Sequence, residues 1–219
     1  LYGHPGEGAH PGPTPHIDQL AAEGVLLRYA YANSQCAPTR AATLTGRHGF
    51  RTGIGTPGGA FLDPAETTLP EILAPSHATA AIGKWHLGGI DIDHPIASGF
   101  GYYAGRLANL SDYYSWSKTT NSPTTAGSTQ DGFSTYVTTD NADEAIAKIS
   151  EFGGDPWFIW LAFNAPHPPF HVPPDPLTTI AVDSNSNSKT KFEAAIEAMD
   201  TEIGRVLASM PGAVLDQTT

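Results

Sequence analysis

The chain is poor in cysteine, in basic residues and in long apolar runs. Its 219 residues contain one cysteine, Cys36, so no intrachain disulfide can form and the redox compartment stays open. Eleven Lys and Arg stand against 22 Asp and Glu, for a formal net charge of −11. Nucleic acids and anionic membranes are held by clustered Lys and Arg, so neither partner is expected and any anion site must be local. No stretch approaches the ~20 uncharged apolar residues of a membrane span. The opening residues, Leu1-Tyr2-Gly3-His4-Pro5, lack the charged and apolar regions of a signal peptide, so the visible chain carries no address.

What is present is the composition of a globular protein, with 40% apolar and 10% aromatic residues, in a length that suits one domain or most of one. In "TPHIDQLAAEGV", Thr14 is a plausible N-cap, Pro15 suits the first helical position, and Ile17, Leu20 and Ala21 form an apolar stripe that Gly24 ends. Residues 25–32 are a short apolar run that predicts a buried strand. Beyond Cys36, "TRAATLTG" has good helix formers and closes at Gly46, which puts Cys36 at or just before a helix N-terminus. Residues 68–74 suggest a short helix, and "HATAAIGKWHLGG" a strand running into a glycine-bounded loop that carries Lys84 and His86. Residues 101–136, rich in Tyr, Ser, Thr and Gly without a clear period, read as long irregular structure.

Asp140, Asn141, Asp143 and Glu144 crowd a helix start before "ADEAIAKISEF", and residues 157–163, "WFIWLAF", read as a central strand. The prolines of "NAPHPPFHVPP" then forbid regular structure. A helix follows over 189–210, where Phe192, Ile196, Met199, Ile203, Val206 and Met210 step by three and four. Alternating helices and strands without an internal repeat predict an α/β domain with a mostly parallel sheet, whose ligands bind beyond the carboxyl ends of the strands. Cys36, Lys84, His86 and His167 all fall in loops after predicted strands.

Those loops offer one candidate nucleophile, two cations (Arg40 and Lys84) and two histidines, a set suited to attack on a compact oxyanion ester. Each residue also has a plainer reading. A lone cysteine is often a small core residue, isolated Lys and Arg are often solvated, and histidines beside Trp85 or among prolines often pack or shape turns. The joint placement favours the chemical reading.

Cys36-Ala37-Pro38-Thr39-Arg40, followed by Leu44-Thr45-Gly46-Arg47, resembles the signature of the type I sulfatases, Cys-x-Pro-Ser/Ala-Arg and then Leu/Met-Thr-Gly-Arg/Lys. "TPHIDQLAAEGV" resembles the helix before that signature, "GKWHLG" a second family motif, "NAPHPPF" a third and "MDTEIGRVL" a helix near the fourth. The five segments keep the family's order along essentially the whole chain. Thr39 is the departure, since the family usually has Ser or Ala there.

The resemblance implies an alkaline-phosphatase/sulfatase-like sandwich, a central mostly parallel mixed sheet flanked by helices and incomplete in this chain. It implies that residues 1–219 are part of an N-terminal catalytic domain, without its first strand and C-terminal portion. It further implies that Cys36 is oxidised by a formylglycine-generating enzyme to formylglycine, whose hydrate attacks the sulfur of a sulfate ester, releases an alcohol, and regenerates the aldehyde as sulfate leaves. By position, Arg40 would hold the modified residue, Lys84 would contact the sulfate, His86 would take the proton that drives collapse, and His167 would touch the sulfate or leaving group. The implied substrate is a sulfated small molecule or glycan, and the implied location periplasmic or secreted.

A calcium, sometimes a magnesium, is also implied, with the modified Cys36 among its ligands and aspartates and an Asp-Asn/Gln pair supplying the rest. "LYGHPG" resembles the stretch after the first aspartate pair, and "AVLDQTT" the stretch before the second, so both ligand-bearing ends are expected to lie outside the chain, which alone would then be inactive and metal-free. Asp91-Ile92-Asp93-His94 and Asp140-Asn141 are two internal clusters of metal-ligand type. The first reads more simply as a polar loop and the second as a helix cap. "GIGTPG" satisfies a dinucleotide pattern, but Pro57 stands where a helix should begin. Asn109-Leu110-Ser111 is a glycosylation sequon. Two rival functions are a phosphatase or phosphonate monoester hydrolase of the same superfamily, and a non-catalytic carbohydrate or sulfate binder.

Overall fold

The computed structural model describes residues 12–218; the opening "LYGHPG" lies outside them. In chain order the elements are helices α1 (Pro15–Glu23), α2 (Cys36–Thr45) and α3 (Leu69–Leu73), strand β1 (Ala78–Lys84), helix α4 (His94–Ala97), and strands β2 (Tyr102–Arg106), β3 (Trp116–Ser122) and β4 (Thr125–Phe133). Helix α5 (Val137–Phe152), strand β5 (Trp157–Ala162) and helices α6 (Ser188–Ser209) and α7 (Gly212–Leu215) complete it. No described helix is long and apolar enough to cross a membrane.

The sheet has the order β4-β3-β2-β1-β5. Strand β1 pairs in parallel with β2 and with β5, whereas β2–β3 and β3–β4 are antiparallel. Its small, apolar residues allow β1 to be covered on both faces. On one face Ala81 packs with Ala41 and Leu44 of α2, Trp85, Phe100 and Tyr103. On the other, Ala80 and Ile82 meet Ala142, Ala145 and Ile149 of α5 and Val206 of α6. The alternation of these residues along one strand makes a helix/sheet/helix sandwich.

Strands β1 and β5 approach closely at their carboxyl ends. Gly83 has φ +94°, and a Cβ there would lie 2.2 Å from the carbonyl oxygen of Ala162. Only glycine permits that approach of β1 to β5 at the carboxyl end of the sheet. Helix α1 is fastened to α6 by a device that does not involve its own cap. Asp200 accepts from the backbone N–H groups of His16 at 3.0 Å and Ile17 at 2.8 Å, so the buried carboxylate of α6 does the capping expected of Thr14, whose side chain makes no cap bond.

Three expectations are corrected. Residues 25–32 form no strand, and Val25, Tyr29 and Tyr31 are 88%, 86% and 90% exposed. No described strand pairs with this run, and an extended segment without a ladder does not satisfy its backbone groups internally. Residues 101–136 are not irregular but hold β2, β3 and β4. The apolar alternation is missing because β4 is almost wholly exposed and contributes its hydrogen-bonding edge without a buried face. Strand β5 is half-buried and lies at one edge of the described sheet, not at its centre.

Candidate active site

Cys36 is the first residue of α2, with Gln35 as N-cap in extended conformation and no side chain capping the helix. The helix therefore presents free N–H groups beside the cysteine, a local positive potential in an acidic chain. Thr39 folds the preceding loop back, its hydroxyl donating to the carbonyl of Gln35 at 2.8 Å. At the other end Gly46 takes the left-handed conformation and stops the helix. Arg47, the last residue of the motif, points away and pairs with Glu66 at the surface.

One turn after Cys36, Arg40 donates from Nη1 to the backbone carbonyl of Lys84 at 2.5 Å, tying α2 to the end of β1. The Lys84 ammonium, on a residue only 4% exposed, donates to Oδ1 of Asn109 at 2.5 Å. Burial lowers the pKa of Arg40, with Cys36 and Tyr103 opposing, and burial likewise lowers that of Lys84. Among the described residues, neither cation has a carboxylate partner. Buried cations without a counter-charge are costly unless an anion arrives.

Beyond Lys84, the backbone N–H of His86 donates to the carbonyl of Leu107 at 2.8 Å. His86 then takes φ 61°, a left-handed conformation seldom used outside glycine. Its Nδ1 lies 3.2 Å from Sγ of Cys36. Burial and, after it, the charges of Lys84 and Arg40 push the imidazole pKa down to about 4, so this ring is neutral at neutral pH and able to accept a proton.

His167 is exposed on the loop after β5 and lines a pocket of about 360 Å³ together with Cys36, Arg40 and Lys84. Its Nδ1 donates to the carbonyl of Pro168 at 2.7 Å, which leaves the lone pair of the neutral ring on Nε2. Three tyrosines hold this loop. The buried Tyr113 donates to the carbonyl of His167 at 2.7 Å, and Tyr114 to that of Val172 at 2.6 Å. Tyr136 donates to Nε2 of His171 at 2.8 Å, and the His171 ring stacks on Tyr113 at 3.6 Å.

Four of the five residues singled out in the sequence, Cys36, Arg40, Lys84 and His167, thus line one opening at the carboxyl ends of β1 and β5, and His86 adjoins it through its contact with Cys36. The family model for sulfatases matches residues 2–218. The chain belongs to the sulfatase family. N-acetylgalactosamine-6-sulfatase from Sus scrofa is 29% identical over 94% of this chain, and Arylsulfatase D from Homo sapiens 43% identical over 45% of it. The chain spans 43% and 20% of those relatives. Among solved structures, the PsFucS1 sulfatase from Pseudoalteromonas sp. superposes with a TM-score of 0.76 at 22% identity, covering 94% of this chain and 47% of that one. The structure of Ps i-CgsB in complex with k-i-k-neocarrahexaose gives 0.69 at 21%, covering 93% and 50%. These structural likenesses carry the fold, an alkaline-phosphatase-like sandwich.

Membership of the sulfatase family implies a metal. No group of three or more His, Cys, Asp or Glu among them is placed to hold an ion. His94 has both ring nitrogens engaged, Nε2 donating to Leu62 and Nδ1 accepting from Trp85. Asp93 accepts from Asn121, and Asp140 is paired with Lys118 at 2.8 Å. The residues described do not fit a hard divalent cation, which needs six or more oxygen ligands.

One residue of this site is not singled out by the sequence. Asn109 reads as part of a sequon, yet its side chain holds the Lys84 ammonium. Its signal was weak: a single polar residue in a stretch without periodicity, brought to Lys84 only by the parallel pairing of β1 and β2.

Proposed function

We propose that the full-length protein hydrolyses sulfate monoesters at this site after oxidation of Cys36 to formylglycine. The observation that carries the reading is a pair of cations, the half-buried Arg40 and the buried Lys84, without carboxylate partners among the described residues, beside a cysteine whose sulfur lies 3.2 Å from a neutral imidazole. That constellation accepts a small dianion or its ester and supplies a base at the attacking residue.

The cysteine sulfur stands for an oxygen of the modified, hydrated residue. Once formed, that group would supply a geminal diol, one hydroxyl of which attacks sulfur as the S–O bond to the alcohol breaks, the proton that hydroxyl loses to solvent being matched by the one the departing alkoxide takes up. Arg40 and Lys84 neutralise charge on the sulfate oxygens, and Asn109 fixes the ammonium in place. His86 receives at Nδ1 the proton from the second hydroxyl, so that sulfate can depart. His167, with its lone pair on Nε2, bounds the side where the alcohol leaves. The family implies calcium or magnesium as well.

Mass spectrometry of the peptide containing Cys36, from a host that makes formylglycine, is expected to show the aldehyde in place of the thiol. The same preparation is expected to cleave an aryl sulfate faster than the phosphate of the same alcohol. An unmodified thiol with no turnover would leave a non-catalytic binder, and preference for the phosphate would leave a phosphatase.

A further inference from the structure

We propose that the 360 Å³ pocket holds the alcohol portion of the substrate and that Phe170 and Phe192 select there for an uncharged ring. The inference rests on the sulfate-ester reading above and adds the class of leaving group. Phe170 stands 40% exposed on the proline-rich loop, at the wall of the same pocket that Cys36, Arg40 and Lys84 close. Phe192 comes from α6, and the two rings meet edge to face, with centroids 6.1 Å apart and planes at 88°. A large aromatic side chain left open beside a reactive residue is an unfilled apolar contact, and two rings from separate elements offer a flat face with a perpendicular wall.

The platform is rigid on both sides. Phe170 lies between His167 and Val172, whose carbonyls are held by Tyr113 and Tyr114 at 2.7 and 2.6 Å. Phe192 is built into a 22-residue helix. Charge decides what sort of ring fits. Among the described residues, the Lys and Arg side chains lining the pocket are Arg40 and Lys84, both beside Cys36. Arg40 is held by the Lys84 carbonyl and Lys84 by Asn109, which keeps both beside Cys36. A second sulfate or a carboxylate on the ring would meet Phe163, Phe170 and Phe192, and the polar side chains beside them among the described residues, Asn164 and His167, bring no fixed positive charge, His167 turning its Nδ1 donor to the Pro168 carbonyl. The chain's net charge of −11 acts in the same sense on polyanions. The ligand class is therefore a neutral, singly sulfated ring alcohol.

The test uses full-length protein with formylglycine verified, and compares phenyl sulfate with 4-carboxyphenyl sulfate. The carboxylated phenol is the better leaving group, so chemistry alone favours it. The expected result is the reverse, a kcat/KM about tenfold or more higher for phenyl sulfate, the size of one lost apolar or unpaired polar contact. Phe170→Ala and Phe192→Ala are each expected to raise KM for phenyl sulfate about tenfold, with a smaller change in kcat, and to shrink the preference. Phe170→Trp is expected to preserve it, and inhibition by inorganic sulfate is expected to stay the same in all three. Equal turnover of the two esters, or alanine variants that keep the wild-type KM, would overturn the inference while leaving the sulfatase reading intact. If wild-type protein cleaves neither ester, the sulfatase reading fails. The pocket is then read by saturation-transfer NMR with phenol and 4-hydroxybenzoate: selective signal for phenol that Phe170→Ala abolishes supports it, and its absence refutes it.

Discussion

His86 Nδ1 lies 3.2 Å from Cys36 Sγ, joining the turn after β1 to the first residue of α2 across 50 positions of sequence. The contact needs the left-handed backbone of His86 and the bond from Arg40 to the Lys84 carbonyl, which together set the two elements face to face.

The first prediction concerns the charge of that imidazole. An unperturbed histidine titrates near 6.5, and burial with the neighbouring cations brings His86 to about 4. Its contribution to stability is complete above pH 6.5 and is lost as pH falls toward 4, because the unfolded chain binds the proton first. Imidazole NMR of the chain with Cys36 unmodified is expected to show His86 neutral at pH 5.5, and a midpoint near 6.5 would contradict the burial argument.

Asn109→Asp places a carboxylate 2.5 Å from the Lys84 ammonium in place of a neutral oxygen. The new ion pair neutralises one of two cations awaiting the sulfate, so affinity for inorganic sulfate is expected to fall about tenfold or more, with the melting temperature unchanged or raised. Calorimetry of sulfate binding to full-length protein checks both signs.

Tyr113→Phe removes one hydrogen bond to the His167 carbonyl at a residue only 1% exposed. The expected loss of stability is about 1 kcal/mol, the net worth of such a bond plus an orphaned carbonyl. Aryl sulfate turnover is expected to fall further than that destabilisation explains, because His167 loses its fixed position. Equal turnover of mutant and wild type at a temperature where both are folded would show that the clamp serves only the fold.

Lys118 provides a control outside the site. Its ammonium meets Asp140 at 2.8 Å and Glu144 at 2.7 Å, buried between β3 and α5. Lys118→Met strands Asp140, whose pKa burial already raises, and is expected to cost about 3–5 kcal/mol. Denaturant unfolding measures the loss, and sulfate affinity of the folded fraction is expected to remain.

Gly83→Ala tests the register of the sheet. Its φ of +94° and the 2.2 Å approach to the Ala162 carbonyl leave no room for a methyl group. Destabilisation of about 3 kcal/mol or more is expected, from strain together with loss of β1–β5 pairing. A folded variant of wild-type melting temperature would disprove the close approach.

By itself the sequence determined the local elements and the reagents. Helix α2 with Cys36 at its start, the β1 strand leading to Lys84 and His86, the proline-rich loop with His167 and the long amphipathic α6 all follow from short-range signals: caps, helix formers, prolines and periodicity. Family membership followed from the same segments in order. The tertiary structure alone decided which polar residues meet. Arg47, inside the signature, was sent to a surface pair with Glu66, and Asn109, inside an unremarkable stretch, was brought to Lys84. Antiparallel β3 and β4 escaped notice because β4 buries almost nothing, and residues 25–32 failed to become a strand because no described strand pairs with them. Local patterns record what a segment buries and how its backbone bends, whereas pairing and charge complementarity depend on partners many positions away.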